Sequence, residues 1–439
     1  MSRLSDGRRF SRSQTVASAC VLLLIAGVAR AGKLRIENVT VVPRDRRTAT
    51  VRFDIAWEGS WRHEANHDAA WVFFKVRAEG QKAWQHVRLA ADKVLNPRGY
   101  SQEKGGTRLD FIVPDGDDGF LGMFVRRAEY GIGKVAATKV TAIWDLAANK
   151  GITKDTKVSV RAFGIEMVFV PEGAFYLGSG GTEPYRFYKY TDGTQHTLPY
   201  RVTSAGAIPT GRQKGKLWAR RGAQPEDKGE IPVAFPNGYA AFYCMKYHVQ
   251  VGHYTGFLNM LDAAQAAKRY TDKVRHQQIS RSGEPPNYTC SSPDRRRACV
   301  ALSWADGASF AAWAGLRPMT ELEYEKVTRG PMEPGWDTGD RLDHPSYWEV
   351  QSINGWRLPR ERPVTVGNAV GRRFRGSHGR GTPTLRADWP QTDAVGAGIR
   401  GGYGVAGRPS HRLLADTVAP GRADYGWRGV RTAPKGVGP

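Results

Sequence analysis

At 439 residues, 40% of them hydrophobic and including 13 Trp, 17 Tyr and 16 Phe, the chain is too long for one ordinary domain and too apolar for wholesale disorder. Its 51 Gly and 25 Pro predict abundant turns and exclude long helical repeats. A net charge of +23 should draw polyanions, which bears on association rather than on fold.

Arg3, Arg8, Arg9 and Arg12 precede an apolar stretch, Val16 to Val28, that is too short to span a bilayer comfortably. Ala29-Arg30-Ala31 then offers small residues for cleavage. Residues 1–31 therefore read as a signal peptide, and the protein is expected to be periplasmic, on the cell surface or secreted. No other segment is apolar enough to cross a membrane. An exported chain rarely meets nucleic acid, so the basic surface is expected to meet an acidic or sulfated polysaccharide (an acidic glycan), an anionic envelope surface or a protein ligand.

Residues 32–162 read as a β-sandwich of immunoglobulin or fibronectin type. Strands are expected at Leu34 to Val39, Thr50 to Trp57, Ala70 to Val76, Trp84 to Leu89, Phe120 to Ala128, Lys139 to Trp144 and Val158 to Phe163. His63, Glu64, His67 and Asp68 cluster between two of these. Their surroundings suggest a loop between strands rather than a metal site.

A second domain is expected over 163–434, followed by a tail at 435–439. It opens with an apolar run, Ile165 to Val170, then Pro171-Glu172-Gly173 and Ala174-Phe175-Tyr176-Leu177, which predicts a hairpin. Residues 180–230 are polar and rich in Gly, Lys and Arg, as in a long surface insertion. Phe242 to Val249 predicts a strand leading into a helix with Tyr254, Phe257, Leu258 and Leu261 on one face. Ser303 is placed to cap a helix that carries Phe310, Trp313 and Ala314 inward and stops at Gly315. Thr320 is placed to cap the next, with Glu323 completing a capping box. Cys290 and Cys299 flank a polar, Pro-containing loop and are expected to form a disulfide, whereas Cys244 sits in an apolar run as a buried small hydrophobe.

Three blocks carry a family resemblance. They are Met167-Val168-Phe169-Val170-Pro171-Glu172-Gly173-Ala174-Phe175, the run from Trp304-Ala305-Asp306-Gly307-Ala308 through Arg317-Pro318-Met319-Thr320-Glu321-Leu322-Glu323-Tyr324-Glu325, and the end from Arg400-Gly401-Gly402-Tyr403 to Gly426-Trp427-Arg428-Gly429. Together they resemble the formylglycine-generating enzyme (sulfatase-modifying factor) family, as a divergent exported bacterial member. The resemblance covers about residues 165–434 and implies an α+β chain. In it an immunoglobulin/fibronectin-like sandwich precedes a loop-rich domain with the family's C-type-lectin-like fold.

The resemblance also implies what is missing. The family's enzymes oxidise a substrate cysteine with copper held by two cysteines between the glycine landmarks, and those positions read Ala406 and His411 here. A methyl group binds no metal and one imidazole cannot replace two thiolates, which argues against copper. A second branch uses a non-haem iron on a histidine triad, but His248, His253, His378 and His411 are scattered singly. The family's structural calcium leaves one eroded relic, Asn354-Gly355-Trp356 through Glu361, with Glu361 the first candidate ligand. The similarity implies that Glu321, Glu323 and Glu325 are structural. Two functions follow. One is a binding or structural protein using Tyr403, Arg408, His411, Arg412, Tyr425 and Trp427, with Trp427 and Tyr403 alternatively core residues. The other is a divergent metal-dependent oxidoreductase with His411 as its weak catalytic candidate.

Overall fold

A computed structural model describes residues 29–31, 34–90, 106–114, 120–193, 197–270, 279–291, 293–334, 346–353, 360–402, 408–412, 421 and 425–439. The expected export segment lies outside them except for its last three residues, Ala29–Ala31, which form strand β1. The fold is mostly antiparallel sheet with few helices. Among the described residues no helix is long and apolar enough to cross a membrane.

Strands β2 (Leu34–Pro43), β3 (Thr48–Arg62), β4 (Asp68–Ala78), β5 (Gln85–His86), β6 (Leu109–Ile112), β7 (Met123–Arg127), β8 (Gly131–Asp145) and β9 (Val158–Val170) build the first half. One sheet runs β1-β2-β3-β8. It packs on a larger sheet through alternating side chains: Val51, Phe53, Ile55 and Val140 from one, and Ala70, Val72, Phe74 and Val76 from the other. The opposite face of β4 sends Trp71 and Phe73 into the core of the second half. β4 is thus buried on both faces along most of its length, which explains its nearly unbroken apolar run. Between Trp84 and Leu89 only β5 forms, where a longer strand is expected.

The expected boundary at 162/163 falls inside β9. This strand pairs with β4 from Val158 to Val168 and with β16 (Phe242–Met245) from Met167 to Val170. Both edges of its far end are therefore occupied, and this is why the expected hairpin after Val170 does not form. Phe175–Leu177 (β10) pairs instead with Tyr200–Val202 (β12). Three more short strands in this stretch are β11 (Phe187–Lys189), β13 (Ile208–Pro209) and β14 (Leu217–Ala219), and a fourth is β15 (Glu230–Ile231). The expected surface insertion therefore contributes to the core: Phe187, Val202, Ile208, Leu217 and Ala219 are all buried.

The helices are α1 (Val251–Leu258), α2 (Ala263–Arg269), α3 (Trp304–Ala314), α4 (Glu321–Arg329) and α5 (Ala369–Arg372). α3 and α4 both start in full capping boxes, at Ser303 with Asp306 and at Thr320 with Glu323. α3 ends at Gly315 in the left-handed conformation (φ 73°). Its last carbonyls are taken up from the central sheet. The Trp71 indole donates to Ala314 (2.8 Å), Lys75 Nζ to Trp313 (2.7 Å) and Arg431 to Gly315. Lys75 Nζ also donates to Gly381 O (2.8 Å) and lies 2.8 Å from His86 Nδ1, so the buried amine meets three acceptors, while burial lowers its pKa well below the ordinary lysine range.

Cys290 and Cys299 are unbonded, which corrects the expected disulfide. Cys299 is packed in the main core and burial pushes its thiol up, while Cys290 lies only partly buried at the edge of that core. Cys244 is fully buried, and burial raises its thiol to about 12.

Candidate functional site

Segments around Gly178, Glu321 and Arg400 converge with residues 408–412. Glu321 opens α4, where a carboxylate suits the helix N-terminus. Arg412 grips it with two parallel bonds, Nε to Oε2 (2.8 Å) and Nη2 to Oε1 (2.9 Å). Arg400 Nη2 adds a third contact at 3.1 Å and reaches Glu325 at 3.0 Å. The Thr365 hydroxyl (2.7 Å) and the Val366 N–H (2.8 Å) complete the Glu321 shell. Burial opposes ionisation of Glu321, but Arg412 and Arg400 outweigh it and hold the carboxyl below its ordinary value. For Glu325 burial wins and raises it, against Arg400 and Arg329. Glu323 caps α4 and is held by both Nη atoms of Arg317 at 2.6 and 2.9 Å.

The expected ligand contacts lie around this network, and most are spent inside the molecule. Arg412 is 0% exposed, its guanidinium 3.9 Å from the centroid of Phe187, and it donates to Tyr185 O at 2.9 Å. Arg408 pairs with buried Glu183 at 3.0 Å. Glu183 also accepts from the Ser179 hydroxyl (2.5 Å), and these partners outweigh burial and hold its carboxyl down. His411 is 6% exposed, and its Nδ1 has no hydrogen-bond partner among the described residues. Burial first, then the Arg400 charge, lowers the imidazole to about 4, so it is neutral at pH 7.

Trp427 is 1% exposed and packs tilted against Trp304, with centroids 6.2 Å apart, directly over Gly307. It is a core residue, which corrects its assignment as a ligand contact. Arg412 is corrected likewise, because its planar fork matches Glu321 and leaves none of its charge for solvent. Tyr425 is half-buried beneath the Arg362 guanidinium at 4.5 Å. Tyr403 and Ala406 lie outside the described residues.

Glu361, the first calcium candidate, has one carboxylate oxygen committed to neighbours, and its buried Oε2 has no hydrogen-bond partner among the described residues. Its Oε1 receives Arg428 Nε at 2.8 Å and lies 2.8 Å from His248 Nε2, so a divalent cation would sit beside a guanidinium. Burial raises the carboxyl, but His248 and Arg428 overturn that and bring it to about 2. Among the described residues no three His, Cys, Asp or Glu side chains converge to hold a metal. His67 and Asp68, singled out in sequence, are both buried and point into different contacts. His67 meets the Tyr243 hydroxyl (3.0 Å), while Asp68 accepts from Trp57 (2.9 Å) and Ser60 (2.7 Å).

Sequence reasoning missed Ser179 and Glu183, because they lie in a polar, Gly-rich stretch where nothing marks a buried carboxylate. No family model matches the chain, and no curated protein matches it significantly.

Proposed function

We propose that the chain is an exported binding or structural protein of the cell exterior. In this reading an immunoglobulin- or fibronectin-like sandwich is joined to a C-type-lectin-like domain of the formylglycine-generating type that has lost the copper chemistry. The observation that carries the reading is the donor set at the two thiolate positions. Ala406 offers a methyl group and His411 a single buried imidazole. Copper(I) held by two soft thiolates has no equivalent in such a pair. The carboxylates of α4 support the same reading, since Glu321, Glu323 and Glu325 each lie within ion-pair distance of a buried arginine. The charge of +23 favours an acidic ligand.

A divergent metal-dependent oxidoreductase is the second reading, and one observation favours it: the neutral, unpartnered His411 Nδ1. Elemental analysis of the purified full chain separates the two. The binding reading expects less than stoichiometric copper and iron, together with affinity for an acidic polysaccharide that falls as salt rises. Stoichiometric copper or iron that disappears in His411→Ala would overturn it.

A further inference from the structure

Strands β4 and β9 present Arg77 and Arg161 on the same face, offset diagonally: Lys75 faces Arg161 and Arg77 faces Ser159. Trp84, arriving from the far side of β4 just before β5, lies across both. The Arg77 guanidinium is 4.7 Å and the Arg161 guanidinium 5.8 Å from its ring centroid. All three side chains are half-buried. Neither arginine has a carboxylate within ion-pair distance among the described residues. Two like charges are thus held on one indole with no anion between them. Burial, then the Arg77 charge, lowers Arg161. The surroundings add positive charge. Lys82 is exposed two residues before Trp84, and Lys150 is exposed with its carbonyl 2.8 Å from Gln85 Nε2. Glu79, two residues after Arg77, is 3.8 Å from Lys157.

We propose that Arg77, Trp84 and Arg161 form a binding site for an acidic polysaccharide at this end of the sandwich. The site is distinct from the C-terminal loops, and the proposal rests on the reading of the chain as a binder of acidic ligands. A guanidinium held over a ring face keeps N–H donors that can meet a carboxylate or sulfate with two bonds. Two such forks on neighbouring strands, with Lys82 and Lys150 beyond, suit an anion repeated along a polymer more than one small ion. The half-buried indole beside the forks adds apolar surface for a sugar ring.

The test uses the full chain and titrates polygalacturonate, dextran sulfate, neutral dextran and a DNA duplex at fixed moderate salt. Arg77→Gln/Arg161→Gln is compared with Arg373→Gln/Arg375→Gln, which removes equal charge from an exposed loop. The first pair is expected to weaken binding of the acidic polysaccharides about tenfold or more and the second less than about twofold. Equal losses in both variants would mean general charge attraction and overturn the site. DNA binding as tight as polysaccharide binding, with the same dependence on Arg77 and Arg161, would overturn the ligand class. Should the Gln pair fail to fold, Arg77→Lys/Arg161→Lys keeps the charge and removes the forks. It is expected to weaken binding several-fold, and unchanged affinity would sink the proposal. If wild type binds no polyanion, the acidic-ligand reading falls with the site. If wild type binds but ignores these variants, only the site falls.

Discussion

Arg412 and Glu361 show how single buried charges are used here. Each belongs to a pair whose desolvation is offset only while both partners remain, so loss of one leaves the other stranded. Arg412→Ala is expected to destabilise the protein by about 3–5 kcal/mol, because Glu321 keeps Arg400 but loses its two-bond partner. Chemical denaturation checks this, and a loss below about 1 kcal/mol would mean that water replaces the guanidinium. Residue types alone do not reveal such pairing. An Arg, a His and a Trp between glycine landmarks suit a ligand surface and a buried network equally well. What separates them is the position of Glu321, Glu183 and Gly307, which come from segments far away in sequence.

At the level of elements, α3 and α4 were fully legible, since caps and C-terminal glycine act locally. Ser303, Gly315, Thr320 and Glu323 stand where the sequence predicts. Strand partners were less legible. Nothing in Phe175-Tyr176-Leu177 shows that its neighbour is Tyr200–Val202 rather than the preceding strand, because the occupancy of both β9 edges is a long-range fact. The short buried strands between 187 and 231 were hidden by polar flanks. Close packing of α3 on the C-terminal block gives a sharp test. A Cβ on Gly307 would lie 2.1 Å from Trp427 Cδ1, far inside contact distance. Gly307→Ala is therefore expected to cost about 1–3 kcal/mol despite alanine's better helix propensity. Equilibrium unfolding would measure it, and a stabilised variant would show that Trp427 is free to move.

On the scale of the whole molecule, the histidines act together. Burial lowers His67, His86 and His378 well below the ordinary 6.5, and His253 and His411 to about 4. The unfolded chain therefore takes up protons first as pH falls through 6.5, and stability is lost from there toward 4. Glu361, held at about 2 against an unfolded 4.5, contributes stability that is present above 4.5 and lost as pH falls toward 2. Between pH 6.5 and 4.5, above most of the carboxylate range, the histidines should lower the melting temperature, and a flat profile across that window would contradict this. The β-rich class and most strands of the first half were readable from alternation, whereas the continuity of the two halves was not, since a strand's sequence does not name both its neighbours. That continuity has a mechanical consequence. β4 and β9 are registered side by side from Asp68–Ala78 against Val158–Val168, and the far end of β9 pairs antiparallel with β16. A pull along these strands, applied between the two halves, would load the ladder in shear, so its bonds would have to fail together rather than one at a time. The junction would then behave as a stiff splint, where a chain of two domains with a linker would have a hinge.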